Sequence, residues 1–472
     1  MSPYLRRTMT LTLLWIAAAF QLQAQDTTSD KAQPVQSFSL QQCIDYALAH
    51  QNAIKLSRID YETALAKNQE VTGLALPHVS AKGDLQYSPE IMTQFIPNFI
   101  SPAVYGVLID EGLLPSDTKV PGGGILPAAF GTTYSASGTI SVTQTLFDGS
   151  VLVALQAKKT VEELAHKGIK QSEVEVKEKV SKAYYNLLIS KKKMDLVNTN
   201  MARLQKLLHD TKALYDNGFA EQLDVDRVQV QLNNLETQKI QLINMLAVSD
   251  QLLKFQMGMP LDARLQPTDA LNTIEGGGLL AQTDSFSYDN RIEYSLLKTQ
   301  KRANAFNYKR YRLAGLPSVS AFMNYGKNAG RNEFNFFDKD EPWFSSWIIG
   351  LSINVPIFDG FQRKNQAKQA KLSVEKTSIQ LDELRHSIDL QISQSKTTLR
   401  NNLINLQSQQ QNMDLAESVY DKAKKKYDQG LGSNLEVIDA QSDLKQAQTN
   451  YFDALYNVMI SKIDYKKAIG TL

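Results

Sequence analysis

The sequence predicts a mainly α-helical protein with a small β part, and three observations predict it. No proline interrupts the chain from Ser150 to Met259, a stretch with apolar residues at helical spacing. Four shorter stretches alternate apolar and polar residues, as half-buried strands do. The whole arrangement is written twice: "YDNGFAEQLDVDRVQVQL", Tyr215 to Leu232, returns 212 residues later as "YDQGLGSNLEVIDAQSDL", Tyr427 to Leu444.

Other landmarks recur in the same order. "LPHVSA" at Leu76 returns as "LPSVSA" at Leu316, "LFDG" at Leu146 as "IFDG" at Ile357, and "QMG" ending at Gly258 as "AIG" ending at Gly470. The first two spacings differ, so the first copy holds about 29 extra residues between Pro77 and Phe147. The period far exceeds the tens of residues of a solenoid unit, which makes each copy a subdomain. The expected organisation is a signal peptide over 1–24, a first repeat over 25–260, a linker over 261–290 and a second repeat over 291–472.

Composition and the leading segment narrow the class. Among 472 residues, 51 Lys and Arg stand against 49 Asp and Glu, for a net charge of +2. That balance argues against nucleic acid as a partner, since binding it takes a concentrated basic patch. Arg6 and Arg7, the apolar run from Met9 to Phe20 and the sequence Leu22-Gln23-Ala24 form a secretory signal peptide. No later run reaches the ~18 apolar residues of a spanning helix, so none is expected in the mature chain. The single cysteine, Cys43, has no partner for an internal disulfide and reads as a small buried apolar side chain.

The elements follow in order. Ser39 to Gln42, "SLQQ", fits a capping box that opens a helix with apolar Ile44, Ala47 and Leu48. A second helix is expected from about Asn52 to Leu74, ahead of Pro77. Beyond the proline, Val79, Ala81, Gly83, Leu85 and Tyr87 alternate with polar neighbours. A partner strand sets Ala136, Gly138, Ile140, Val142 and Leu146 on one face. The second copy supplies Val319, Ala321, Met323 and Tyr325, then Trp347, Ile349, Leu351, Ile353 and Val355. Each "FDG" then opens a very long helix, the first spanning roughly 90 Å before Gly218 breaks it. Heptad-like stripes through Val180, Tyr184 and Leu187, and through Val437, Ala440 and Leu444, predict antiparallel coiled-coil hairpins. The core of a soluble helical bundle has the same periodicity.

Four amphipathic strands in an exported chain cannot close a barrel around a lumen. An open sheet edge in lipid leaves backbone groups unsatisfied. Either other copies finish the barrel, or the strands are not in a membrane. At this point "VPIFDG", "YDQGLGSNLEVIDAQSDL" and the terminal "KKAIGTL", with their weaker first copies, resemble the TolC-type outer-membrane efflux proteins across essentially the whole mature chain. The resemblance implies a homotrimer whose duplicated helical hairpins form an α-barrel through the periplasm. Four strands per chain then make a 12-stranded transmembrane β-barrel in outer-membrane lipid. It also implies a passive exit duct that works with a periplasmic adaptor (membrane fusion) protein and an inner-membrane transporter.

Each "YDxG" then lies at a hairpin bend, and Tyr215, Gly218, Tyr427 and Gly430 become candidates for the periplasmic tip and adaptor contact. Glycine at a helix end also relieves the backbone, whether or not an adaptor docks there. Glu436 and Asp439 stand three apart on one helix face. By the resemblance they match an acidic constriction ring, which favours cations and binds multivalent ones. "SNLE" at Ser433 to Glu436 is itself a capping box that accounts for Glu436 but not for Asp439. The first copy offers Asp224 at the place of Glu436 and Arg227 at that of Asp439. The family pattern also has an arginine latch in the second tip, and Gly432 occupies that place here.

The insertion, roughly Ser88 to Thr133, reads either as an extracellular loop narrowing the mouth or as a plain surface loop. Phe334, Phe336, Phe337, Trp343, Phe344 and Trp347 read as an interfacial aromatic belt or as loop packing. No enzyme or cofactor is expected: His50, His78, His166, His209 and His386 lack metal-ligand spacing, and no phosphate loop or G-x-S-x-G is present. Gly122 to Gly124 and Gly276 to Gly278 read as flexible loops. The competing reading, a soluble periplasmic coiled-coil scaffold, shares the heptads but has no need of amphipathic strands.

Overall fold

The computed structural model describes residues 36–121, 124–269 and 286–472. The expected signal peptide, Gly122, Gly123 and Gly276 to Gly278 lie outside the described residues. The first half runs β1 (Gln36–Phe38), α1 (Leu40–His50), α2 (Asn52–Gly73), β2 (His78–Tyr87), β3 (Thr93–Pro97), α3 (Ile100–Asp110), β4 (Ile125–Ala129), β5 (Tyr134–Phe147), α4 (Gly149–Asp216), α5 (Gln222–Met257) and β6 (Leu265–Pro267). The second runs a 3-10 turn (Tyr288–Asn290), α6 (Ile292–Leu313), β7 (Ser318–Arg331), β8 (Phe344–Asn354), α7 (Gln362–Asp428) and α8 (Asn434–Ala468).

Helices α4 and α7, with 68 and 67 residues, are each roughly 100 Å long. Local chemistry sets their starts. Asp148 caps α4 by accepting from the backbone N–H groups of Ser150 and Val151. Before α7 the chain bends through Gly360 and Phe361, both at positive φ, and Asp359 accepts from the Arg363 backbone and side chain. At α1 the capping box is complete: Ser39 Oγ accepts from Gln42 N, and Gln42 Oε1 accepts from Ser39 N.

The four long strands form one antiparallel sheet in the order β2-β5-β7-β8. The pairing of β5 with β7 joins the two halves of the chain. Register aligns the apolar sets of all four strands: Val79, Val142, Met323 and Ile349 form one row, and Ala81, Ile140, Tyr325 and Trp347 the next. Residues directly opposite share a face, so these rows make one continuous apolar surface. It is uncovered, with Val79 69% and Ile349 76% exposed. The opposite face carries Lys82, Thr139, Gly326 and Ser346 in one row. At both outer edges, β2 and β8 have no further neighbouring strand among the described residues.

The structure departs from the simple alternation at Leu146. A bulge between Thr145 and Phe147 leaves Leu146 without a partner and pairs Phe147 with Val319, because the extra residue shifts the register. The insertion is also more than a loop: β3 and β4 pair within it and α3 lies between them. Of the six aromatic residues near the β7–β8 turn, Phe336 is buried against Phe334 and Trp343, whereas Phe337 is exposed.

The two largest clusters of buried side chains lie at different levels along the long helices. Cys43 and Ala47 of α1 pack with Tyr184 and Leu187 of α4 and with Leu253 and Met257 of α5. Burial, helped by the Asp269 charge, pushes the Cys43 thiol up to about 12, which keeps it unreactive. Nearer the hairpin bends, Leu204 and Leu207 of α4, Val228 and Leu232 of α5, Tyr420 of α7 and Val437 and Leu444 of α8 share one core. Helix α4 therefore buries two faces, one toward α5 and one toward α8. Two further stripes stay bare: Leu223, Val230, Val248 and Phe255 on α5, and Ile379, Leu390, Ile404 and Leu415 on α7. Each set falls on one side of its helix at 100° per residue.

Candidate functional site

The two hairpin bends share one backbone solution. After α4 the chain turns through Gly218 at φ 78°; the Phe219 N–H reaches Leu214 O at 2.8 Å and the Gly218 N–H reaches Tyr215 O at 2.9 Å. After α7 it turns through Gly430 at φ 73°; Leu431 N reaches Lys426 O at 2.9 Å and Gly430 N reaches Tyr427 O at 2.9 Å. This paired pattern is a Schellman motif, in which a left-handed residue satisfies the last carbonyls of the helix. Glycine adopts that conformation without a Cβ penalty, so the repeated "YDxG" is the sequence form of a repeated helix stop.

Around the bends the two copies diverge. Tyr427 turns toward the first hairpin and shares a hydrogen bond of 3.2 Å with the Thr211 hydroxyl. Its counterpart Tyr215 is 41% exposed and bonds to no other side chain among the described residues. Asn434, buried at the start of α8, donates to Asp224 O at 3.0 Å and ties the start of α8 to the start of α5. Lys424 lies 3.6 Å from Asp210 and also pairs with Asp428.

The three candidate carboxylates have different surroundings. The Ser433 hydroxyl accepts from Glu436 N, but the Glu436 carboxylate turns to Lys426 Nζ at 3.3 Å, so only half of the expected capping box forms. Asp439, one turn further on, is exposed and has no ion-pair or hydrogen-bond partner among the described residues. Asp224 is half-buried and lies 3.8 Å from Arg227. Gly432, at the latch position, has little free space: a Cβ there would lie 3.1 Å from the Lys426 Cβ and 3.2 Å from Tyr427 N.

Several contributors escape a reading of the motifs. Asn200 of α4 donates to Gln448 Oε1 at 3.0 Å and accepts from Gln441 Nε2 at 3.2 Å, all three buried between the hairpins. Gln441 and Gln448 interrupt the apolar series of Val437 and Leu444, and a polar residue at such a seam position signals a partner across the interface. Arg203 lies over the Tyr420 ring at 5.3 Å and pairs with Glu417 at 3.5 Å. No comparable local signal marks it.

The residues thus arranged match the sequence pattern of the family described as "Outer membrane efflux protein" over 43–258 and 296–471, both copies of the repeat motifs. The chain belongs to that family. Among its relatives, the outer membrane protein TolC of Vibrio cholerae is 22% identical over 301 residues, covering 62% of this chain and 67% of that protein. The TolC of Escherichia coli is 28% identical over 124 residues, 26% of this chain and about a quarter of that protein's length, 25%. The CmeC outer membrane channel of Campylobacter jejuni superimposes with a TM-score of 0.70 at 16% identity, covering 92% of this chain and 85% of that one. At that identity the likeness speaks for the fold, and it extends to nearly the whole efflux-family chain described above.

Proposed function

We propose that three copies of this chain form the exit duct of a multicomponent efflux or secretion system. The duct carries cargo passively from the periplasm across the outer membrane. The observation that carries this reading is that one chain ends on unfinished edges everywhere. Among the described residues strands β2 and β8 lack outer neighbours, the sheet's apolar face is bare, and α5 and α7 each expose an apolar stripe. Pairing β8 of one copy with β2 of the next, and α7 with α5, closes the edges and the stripes, and outer-membrane lipid covers the apolar face. An eight-stranded barrel is just wide enough for side chains to fill, so two copies leave no lumen and three are the smallest number that does. A soluble scaffold gives no account of the aligned apolar rows in the sheet.

In this assembly the repeats over 25–260 and 291–472, joined by the linker over 261–290, each contribute one hairpin to an α-barrel. They also supply four strands per chain to a 12-stranded β-barrel. Glu436 and Asp439, with Asp224 from the first copy, narrow the closed periplasmic end. Tyr215, Gly218, Tyr427 and Gly430 lie at the six tips that meet a periplasmic adaptor coupled to an inner-membrane transporter. Nothing in the mechanism calls for bond chemistry by the duct itself, and the energy comes from the transporter. Purified protein added to a planar lipid bilayer is expected to give discrete conductance steps that a multivalent cation blocks from the tip side. Failure to conduct in any lipid overturns the proposal.

A further inference from the structure

The ends of α6 and α7 nearest the sheet carry more positive charge than the fold pairs. Residues 301–313 of α6 and 362–374 of α7 together hold nine basic side chains and no acidic one. The two segments are neighbours, since Arg363 Nη1 donates to Ala314 O at 3.4 Å. Some of the charge is used locally: Arg302 pairs with Glu163 and Arg363 with Asp359. Arg310, Arg312, Lys364 and Lys368 are exposed, and none has a carboxylate partner among the described residues. The dipole of α6 favours Arg310 and Arg312 in its last turn, but the dipole of α7 disfavours Lys364 in its first. Among the described residues the fold therefore supplies no counter-ion for Lys364 or Lys368 on α7.

Directly beside them the chain exposes apolar surface. Phe361 is held in the left-handed region at φ 65°, a conformation uncommon outside glycine; the residue is 59% exposed and Lys364 Nζ lies 5.8 Å from its ring centre. Phe358 meets it edge-on at 5.4 Å and is also exposed. These rings continue the bare apolar side chains Ile353, Val355 and Ile357 at the end of β8. Lys368 lies six residues into α7, so the cations begin at the rings and extend about 9 Å away from the sheet.

An apolar layer bordered by unpaired cations matches the boundary between acyl chains and phosphates. We propose that this collar binds the headgroups of acidic phospholipids in the periplasmic leaflet of the outer membrane, with Phe358 and Phe361 seated at the acyl boundary. The assignment rests on the membrane reading above. The complement is one of charge, and Lys364 and Lys368, four apart, share one face of α7.

The full chain is reconstituted in bilayers of phosphatidylglycerol and phosphatidylcholine, and lipids retained after gentle detergent release are read by native mass spectrometry. The wild type is expected to keep phosphatidylglycerol selectively. The variant carrying Arg310→Gln, Arg312→Gln, Lys364→Gln and Lys368→Gln is expected to lose about tenfold or more of that preference. A control with Lys206→Gln and Lys212→Gln, remote on α4, is expected to keep it. Because Arg310 and Arg312 also support the end of α6, the pair Lys364→Gln with Lys368→Gln provides a milder variant, expected to lose part of the preference. Variants that insert, conduct and retain phosphatidylglycerol like the wild type overturn the collar and leave the duct intact. A wild type that does not insert at all overturns the membrane reading instead.

Discussion

At the first hairpin tip Tyr215 is exposed and Asp224 lies beside Arg227; at the second, Tyr427 is turned inward to Thr211 and Asp439 has no counter-ion among the described residues. Yet the two tips reverse the chain with the same pair of backbone hydrogen bonds around a glycine at positive φ. The difference separates two demands on a duplicated unit. Reversing a long helix is a backbone problem, which each copy solves with the same "YDxG". Presenting negative charge depends on side chains, and of the three candidate carboxylates only Asp439, in the second copy, lacks an ion-pair partner among the described residues. The tips are alike as folding devices and unlike as electrostatic ones.

The strongest test of the likeness is substitution of the turn glycines. Gly218→Val and Gly430→Val each force a branched side chain into the left-handed region, and each is expected to cost about 2 kcal/mol. Thermal unfolding in detergent checks this, and markedly unequal losses break the claim that the two turns are equivalent. The unlikeness is tested by charge removal. Glu436→Ala combined with Asp439→Ala is expected to weaken multivalent cation block about tenfold or more. Asp224→Ala, which leaves Arg227 in place, is expected to change it far less. Bilayer recordings with equal effects from both tips remove the distinction.

A smaller effect sharpens the difference between the tyrosines. Tyr427→Phe removes the hydrogen bond to Thr211 and is expected to cost about 1 kcal/mol, seen as more frequent spontaneous opening. Tyr215→Phe removes no such bond and is expected to leave the opening rate unchanged. Smallest of all is a pH effect at the level above the tips, where Glu178 of α4 bonds to Lys182 and to Lys467 of α8. Burial pushes the Glu178 carboxyl up, but the two lysines outweigh it and hold it below the usual glutamate range. A lowered carboxyl contributes stability above its unfolded pKa and loses it as pH falls through the folded one. Acidification below the ordinary glutamate range is therefore expected to loosen the α4–α8 contact, as hydrogen exchange would report. Glu178→Gln is expected to flatten that dependence.

Much of this fold was legible because its signals are local. Alternation from Val79 to Tyr87 marked β2, and "FDG" marked the starts of both long helices. What escaped was set by distance or brevity. The β5–β7 pairing unites residues far apart in sequence, and no local pattern announces it. Strands β3 and β4 have five residues each, too short for a period of two to stand out. The second buried face of α4, with Leu204 and Leu207, arises because α8 covers it, which a single heptad series does not reveal. At the tips, the spacing of Glu436 and Asp439 was visible, but the turn of Glu436 toward Lys426 depends on how the bend folds back. Asn434 and Asp224 meet only because the two hairpins lie side by side.

All of these contrasts presuppose that further copies complete the edges one chain leaves open. Native mass spectrometry of the mature protein, extracted from membranes in mild detergent, tests that most directly. The account predicts a particle of three times the chain mass, with lipid bound. A monodisperse single chain that stays folded and soluble without detergent contradicts it.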